Sequence, residues 1–296
     1  MSIPGIIMPA EPTIVILSGK GGTGKTLVSV NLAAAADQAT YLDADVEEPN
    51  GQLFFKPTIL GQQMVYTTKP VVDPTLCDGC RRCVDLCAFN ALAMIGKELL
   101  VFEEVCHSCG LCTAICPKHA LHEEKRPLGL VKQGKSDQVR FLSGEMRIGE
   151  SSAVPIIKAM VHQHLDGLII IDGPPGSGCL VQETIKIADF CLLVAEPSRF
   201  GAHNLEMVHE LVTMMGKPCA VLLNKTQELA NPSQEYALTN DLKIIGCLPY
   251  DQNLARLSSE GRIAVREDHA YRAYFATLLA ELLQEVQDAS NPHTQR

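Results

Sequence analysis

The chain has 296 residues, 46% hydrophobic and 20% charged, enough for one large core or for one core with a small insert. Acidic residues outnumber basic ones 34 to 25, and a net charge of −9 argues against a general nucleic-acid binder, whose phosphate contacts need a basic surface. No apolar run approaches the roughly 18 residues that span a bilayer. The opening MSIPGIIMPAEP lacks the positive charge of a signal peptide, so the chain reads as cytoplasmic, without a stable membrane anchor.

In chain order, TIVILSG (13–19) is a short β-branched apolar run ending in glycine, the pattern of a buried strand. SGKGGTGKT follows at 18–26 and matches a phosphate loop at Gly19, Gly24, Lys25 and Thr26. Glycines at 19, 21, 22 and 24 let backbone N–H groups converge on phosphate oxygens, and the helix that opens next presents the positive end of its dipole. The nucleotide-binding segment expected here is Gly19, Lys20, Gly21, Gly22, Thr23, Gly24, Lys25, Thr26 and Leu27. Lys25 suits the β- and γ-phosphates, and the Thr26 hydroxyl suits Mg²⁺. KTLVSVNLAAAADQ (25–38) is an Ala-rich helix, and TYLDADV (40–46) is the next strand.

Strand–helix alternation then breaks between about 64 and 124, where Cys, Gly and charged residues dominate. Eight of the twelve cysteines fall there, in CDGCRRCVDLC (77–87) and CHSCGLCTAICP (106–117), both spaced x₂, x₂, x₃. Without an export signal, disulfides are not expected. A tight loop of this spacing points three thiolates at one iron–sulfur cube; Cys₄ zinc is the competing reading.

After the insert, residues 128–146 read as two strands around a polar turn and 151–164 as a helix. Strand-length apolar runs recur at 165–173, 188–197, 217–225 and 242–250, separated by helical spacing such as GAHNLEMVHELVTMMG (201–216). An amphipathic helix over 269–289 and a polar tail close the chain. Strands alternating with helices indicate an α/β fold, a doubly wound, mostly parallel sheet. The domains expected are a discontinuous phosphate-loop domain, 1–63 and 125–296, and a small inserted α+β domain, 64–124. Of the four lone cysteines, Cys179 is expected to be a small buried thiol, and Cys191, Cys219 and Cys247 to be core. His107, Arg81 and Arg82 are expected at the surface, the arginines with a lesser alternative as a docking site for an acidic redox partner.

KGGTGKT, with its additional Lys20, resembles the deviant phosphate loop of the MinD/Mrp and nitrogenase-iron-protein class of P-loop ATPases. The resemblance continues in LDADVEEPN (42–50), IDGPPGSG (171–178), NKT (224–226) and PYD (249–251). It implies a slow or partner-stimulated, Mg²⁺-dependent ATPase working as a homodimer, with Lys20 reaching the nucleotide of the facing subunit. Asp45 would position the attacking water, supported by Asp43. Thr26, Asp45 and Asp172 would serve Mg²⁺, GPPGSG would sense the γ-phosphate, and Asn224 and Pro249 would contact adenine.

The doubled cysteine run resembles a bacterial two-cluster ferredoxin, in which the fourth cysteine of each run serves the other cluster. That implies one 4Fe–4S cluster on Cys77, Cys80, Cys83 and Cys116, and a second on Cys87, Cys106, Cys109 and Cys112. Ala88 stands where the ferredoxin pattern has proline, whereas Pro117 keeps it. The expected function is an ATP-driven switch coupled to electron transfer with an unidentified redox partner. The alternative is an iron–sulfur carrier ATPase of the Mrp type serving an acceptor protein. Such a carrier presents an interface CxxC pair, and none exists outside the insert. A MinD-like membrane switch would want a basic polar face on the C-terminal helix, and AELLQEVQDA is acid-rich.

Overall fold

The computed structural model describes residues 12–163, 165, 167–227 and 230–290. The expectations for MSIPGIIMPAE, for the tail beyond 290 and for the last position of the helix over 151–164 lie outside the described residues. The chain begins β1 (Thr13–Leu17), α1 (Lys25–Ala35), β2 (Ala39–Asp43), α2 (Gly51–Phe55) and β3 (Thr58–Val72). The cysteine-rich stretch holds α3 (Arg82–Asp85), β4 (Leu92–Ile95), β5 (Glu98–Val101) and α4 (Leu111–Ala114). β6 (Leu121–Ser136), β7 (Val139–Met146), α5 (Val154–Val161), β8 (Leu168–Asp172), α6 (Cys179–Ile187) and β9 (Phe190–Ala195) follow. The last third is α7 (Arg199–Met214), β10 (Cys219–Thr226), α8 (Pro232–Thr239), β11 (Ile244–Pro249), α9 (Gln252–Ser259), α10 (Ala264–Glu267) and α11 (His269–Ser290).

Nine strands form one sheet in the order β11-β10-β9-β1-β8-β2-β7-β6-β3, parallel from β11 to β7 and antiparallel from β7 to β3. The central strands are apolar on both faces because helices cover both. Ile14, Ile16, Tyr41 and Ile170 pack toward α1 and α11. Val15, Leu17, Leu42 and Ile171 pack toward α5, α6 and α7. β1 has β8 on one side and β9 on the other, so the chain builds one half of the sheet and then crosses to the other. Ligands of open α/β sheets bind beyond the strand ends at such a crossing. Leu17, Asp43 and Asp172 end their strands there, with Asp43 and Asp172 in register.

β3 and β6 pair from Thr58↔Lys135 to Val72↔Leu121, but β6 meets β7 only from Gly129 onward. Residues 66–72 and 121–127 therefore leave the sheet as a two-stranded antiparallel ribbon whose tip carries the cysteines. Position 64 lies beside the point where β6 leaves β7, and 124 lies inside the free ribbon. Alternation along TILGQQMVYTTKPVV is poor because β3 is an edge strand, covered on little of its length, and Leu60 and Tyr66 are exposed.

Candidate functional site

The phosphate loop leaves β1 at Leu17 and opens α1 at Lys25, with Gly24 at the helix N-cap in the left-handed region (φ 98°). A Cβ on Gly24 would stand 2.2 Å from Asn224 Nδ2, so both the backbone and the close approach require glycine here. Asn224, at the end of β10, donates from Nδ2 to Thr23 O (2.7 Å) and thereby braces the loop. The turn after β8 packs on the same loop: Gly176 N–H donates to Ser18 O at 3.1 Å. Thr23 and Lys25 are buried.

Beside the loop lies a cavity of about 550 Å³. Gly22, Gly24, Lys25, Thr26, Leu27, Asn224 and Pro249 line it, as expected from the sequence for a nucleotide pocket. Gly19, Lys20, Gly21 and Thr23 shape the loop without lining this cavity. Lys225 and Tyr250, inside the NKT and PYD segments, line it too, and what sequence reasoning missed is the wall made by Phe54 of α2 and Leu254 of α9. The signal available for α9 was Asp251, an N-cap whose Oδ1 accepts from Asn253 and Leu254 N–H at 2.7 and 3.1 Å.

Three carboxyl groups gather at the strand ends. Asp43 Oδ2 accepts from Gly51 N–H at 2.7 Å, and its Oδ1 accepts from Asp45 N–H at 3.3 Å. Asp172 Oδ2 accepts from the Tyr41 hydroxyl at 3.0 Å. The other oxygen, Asp172 Oδ1, is buried without a hydrogen-bond partner. Burial, aggravated by the facing Asp172, pushes the Asp43 carboxyl well above the usual carboxylate range. Burial also raises Asp172, against the opposing pull of Lys25 and the Thr26 hydroxyl. Asp45 is pushed up to about 6 by burial, with Lys25 opposing and Asp172 reinforcing. A buried carboxylate oxygen with no donor, flanked by a hydroxyl and two further carboxyls, is a donor set of the hard-oxygen kind that Mg²⁺ takes.

Lys20 turns to its own chain. Its Nζ lies 2.7 Å from Glu196 Oε2 and 5.1 Å from the centroid of the Phe200 ring. Lys225 holds the other oxygen, Glu196 Oε1, at 2.6 Å and also donates to Gly22 O at 2.7 Å. Burial alone would raise the Glu196 carboxyl, but the two lysines outweigh it and hold it below its ordinary value.

The cysteine lobe repeats one design. Arg81 (φ 66°) and Gly110 (φ 72°) start the two four-residue helices from the left-handed region. The turn after each helix closes alike, Asn90 N–H to Cys87 O (3.2 Å) and His119 N–H to Cys116 O (3.1 Å), so Ala88 adopts the turn that Pro117 adopts. Ala91 N–H donates to Cys87 Sγ (3.4 Å) and Ala120 N–H to Cys116 Sγ (3.3 Å). Cys77, Cys80 and Cys116 line one cavity; Cys87, Cys106, Cys109 and Cys112 line another; Cys83 borders both. Among the described residues no three His, Cys, Asp or Glu side chains form a group that could hold a single metal ion; the thiols instead stand around the two cavities.

His107, Arg81 and Arg82 are exposed, and His107 stacks on Phe89 with ring centroids 3.9 Å apart. Two expectations about lone cysteines need correction. Cys179 is exposed rather than buried, because the inward face of α6 begins at Val181. Cys191 is core, but Cys219, the first residue of β10, is only half-buried, and Cys247 is exposed because β11 is the outer strand of the sheet. The apolar face of α11, with Phe275, Leu278 and Leu282, is buried in the core. Among the described residues no helix is long and apolar enough to cross a membrane.

Residues 14–265 match the family described as the CobQ/CobB/MinD/ParA nucleotide binding domain. Similar curated proteins come from Methanocaldococcus jannaschii. An uncharacterized protein is 30% identical over 87% of this chain and 90% of its own. An iron-sulfur cluster carrier protein is 48% identical over 93% of this chain and 84% of its own. An uncharacterized ferredoxin of the same organism is 33% identical over 23% of this chain and 87% of its own. The cell division ATPase MinD of Pyrococcus furiosus superposes with a TM-score of 0.56, covering 92% of this chain and 99% of that one at 18% identity, a likeness of fold. The chain belongs to the CobQ/CobB/MinD/ParA nucleotide-binding family.

Proposed function

We propose that this family member is an ATPase, working as a homodimer, that couples its nucleotide state to one-electron transfer through two 4Fe–4S clusters. The observation that carries the reading is the placement of eight thiols around two cavities within one chain, on a ribbon continuous with the nucleotide-binding sheet. Four thiolates from one chain hold a cluster firmly, and the N–H donors on Cys87 and Cys116 suit thiolate sulfur. A 4Fe–4S cluster, when bound, takes up and releases one electron at a potential set by its hydrogen bonds and exposure.

At the other end of the ribbon, the loop's backbone N–H groups and Lys25 receive the phosphates. Thr26 and Asp172 Oδ1 are the groups that would hold Mg²⁺, which neutralises charge on the phosphates. Asp45 orients the attacking water, and Asp43, fixed by Gly51 N–H, orients the backbone at Asp45. Lys20 serves the facing protomer, and to do so it leaves Glu196. Asn224 and Pro249 contact the base.

A second reading is favoured by the iron-sulfur cluster carrier at 48% identity: the chain hands a cluster to an apo-acceptor. One preparation separates the two. Anaerobically purified protein should carry about eight irons per chain, and its EPR spectrum should change with Mg·ATP. Transfer of a full cluster to an added apo-acceptor would establish the carrier reading instead. Zinc or bare thiols in place of iron would remove both.

A further inference from the structure

The two thiol sets are attached to the rest of the molecule in different ways. Among the described residues, the loop carrying Cys77, Cys80 and Cys83 bonds only within the lobe. Cys77 N–H donates to Asp73 O (3.2 Å), Cys80 N–H to Asp78 Oδ1 (3.1 Å), and Lys118 lies 3.9 Å from Asp78. The loop carrying Cys106 is tied outward. Lys69 pairs with Glu103 at 2.7 Å, the Ser108 hydroxyl donates to Thr68 O on the ribbon, and Arg126 Nη2 donates to Glu103 O at 3.4 Å.

The decisive tie comes from outside the lobe. Ser151, in the segment between β7 and α5, donates from its hydroxyl to Cys106 O at 3.0 Å. Its neighbour Glu150 accepts from Arg126 Nη1 on both carboxylate oxygens, and the side chains of that pair are only 14% and 10% exposed. The same segment begins at the strand end that touches the nucleotide face: Met146 N–H donates to Val46 O at 2.8 Å, one residue beyond Asp45. A largely buried ion pair, in which one guanidinium nitrogen holds both carboxylate oxygens and the other holds Glu103 O, resists separation and moves with its backbone. Displacement of residues 45–46 therefore reaches Cys106 through a single short segment, and among the described residues no equivalent segment reaches Cys77, Cys80 or Cys83.

We propose that Ser151 and the Arg126–Glu150 pair are positioning residues that connect the nucleotide face to the backbone at Cys106. In consequence, nucleotide state shifts the redox potential of the cluster on Cys87, Cys106, Cys109 and Cys112 and leaves the other cluster's potential in place. The inference rests on the two-cluster reading of the lobe. Its chemical basis is that cluster potentials follow the hydrogen bonds and solvent exposure of the sulfurs, both of which the Cys106 loop sets.

The test is an EPR-monitored redox titration of the full-length protein, purified without oxygen, with and without Mg²⁺ and a non-hydrolysable ATP analogue. The first cluster's signal is identified by its loss in Cys80→Ser. In the wild type one midpoint should move, by about 59 mV for a tenfold change in the reduced-to-oxidised ratio, and it should be the one that survives Cys80→Ser. Ser151→Ala, a small change at a half-buried position, should remove at least half of that movement without altering iron content or nucleotide affinity; Glu150→Gln should remove more. Two midpoints moving together, movement of the first cluster alone, or full movement in Ser151→Ala would overturn the inference and leave the two-cluster ATPase standing. Two immobile midpoints would remove coupling altogether, and a chain without iron would remove the underlying reading as well.

Discussion

The nucleotide face and the cysteine lobe solve the problem of holding polar groups in opposite ways. At the nucleotide face, Asp43 and Asp172 end β2 and β8 and Lys25 opens α1, all three packed among fully buried side chains, so the sheet and its first helix fix them. The lobe has almost nothing comparable: its buried cluster is Leu92, Leu99 and Leu121, packed against the thiols themselves. Turns of four residues around eight cysteines do not bury enough apolar surface to hold a shape. The comparison teaches that the ATPase sheet is a framework for its ligand, whereas the lobe's framework is in large part the ligand.

The largest expected effect follows directly. Stripping iron from the protein should unfold residues 73–121 and spare the sheet, since small metal-built domains draw folding free energies that reach about 10 kcal/mol from their metals. Hydrogen exchange should show protection lost in the lobe and kept in β1, β8 and β9. Equal protection before and after iron removal would break the contrast. Next in size is Lys25→Ala. It should weaken nucleotide binding by about a hundredfold, the loss of a charge-assisted contact worth about 3 kcal/mol, with iron content unchanged. Calorimetry and an iron assay on one sample check both halves, and a variant that loses iron along with nucleotide would show the regions to be one folding unit.

Much of this contrast was legible in the sequence, because it is written in local chemistry. A loop that needs positive φ at Gly24, followed by Lys25 and Thr26, can be read without neighbours, and cysteine spacing encodes turn geometry directly. The parallel sheet was legible for the same reason: apolar runs of strand length alternate with helical spacing. What stayed hidden is made of pairs distant in the chain. Glu196 looks like the polar end of CLLVAEP, and only folding brings it to Lys20 and Lys225. Arg126 reads as one more charge in HEEKRP, and its burial against Glu150 depends on the ribbon crossing the segment after β7. Tyr41 reads as a strand aromatic, while its hydroxyl lies on Asp172. Cys179 and Cys247 were misplaced because composition reports that a thiol is apolar but not that α6 starts outside the core or that β11 is an edge.

Tyr41 allows a sharper test of how the sheet prepares its site. Its hydroxyl occupies Asp172 Oδ2 and leaves Oδ1 as the free donor atom. Tyr41→Phe keeps the ring packed against Phe55 and Phe141 and removes only that hydrogen bond. Groups that orient a metal's ligand typically contribute about tenfold to tenfold-squared in affinity. The Mg²⁺ concentration giving half-maximal ATP hydrolysis should rise by about tenfold, with nucleotide affinity in the absence of Mg²⁺ unchanged. An unaltered Mg²⁺ dependence would mean that the sheet positions Asp172 without help from the phenol.

The smallest effect tests whether the framework is strained before its ligand arrives. The Asp45 carboxyl is pushed up to about 6 from its ordinary 3.8, because burial and Asp172 oppose its ionisation more than Lys25 favours it. Between those two pH values the unfolded chain has released a proton that the folded chain still holds, so rising pH favours unfolding across that window and the loss is complete above about 6. Asp45 is partly exposed, and solvent screening reduces its share to on the order of 1 kcal/mol. Asp45→Asn should therefore be more stable than the wild type by about that amount at pH 7.5, and the difference should vanish near pH 4. Mg²⁺ should invert the order at pH 7.5, since a cation beside Asp172 turns the Asp45 charge from a cost into an attraction that asparagine lacks. Urea titrations at the two pH values, each with and without Mg·ADP, measure all four terms. A stability difference that is the same at both pH values would show that Asp45 is neutral to folding, and that the nucleotide face carries no charge strain for its ligand to relieve.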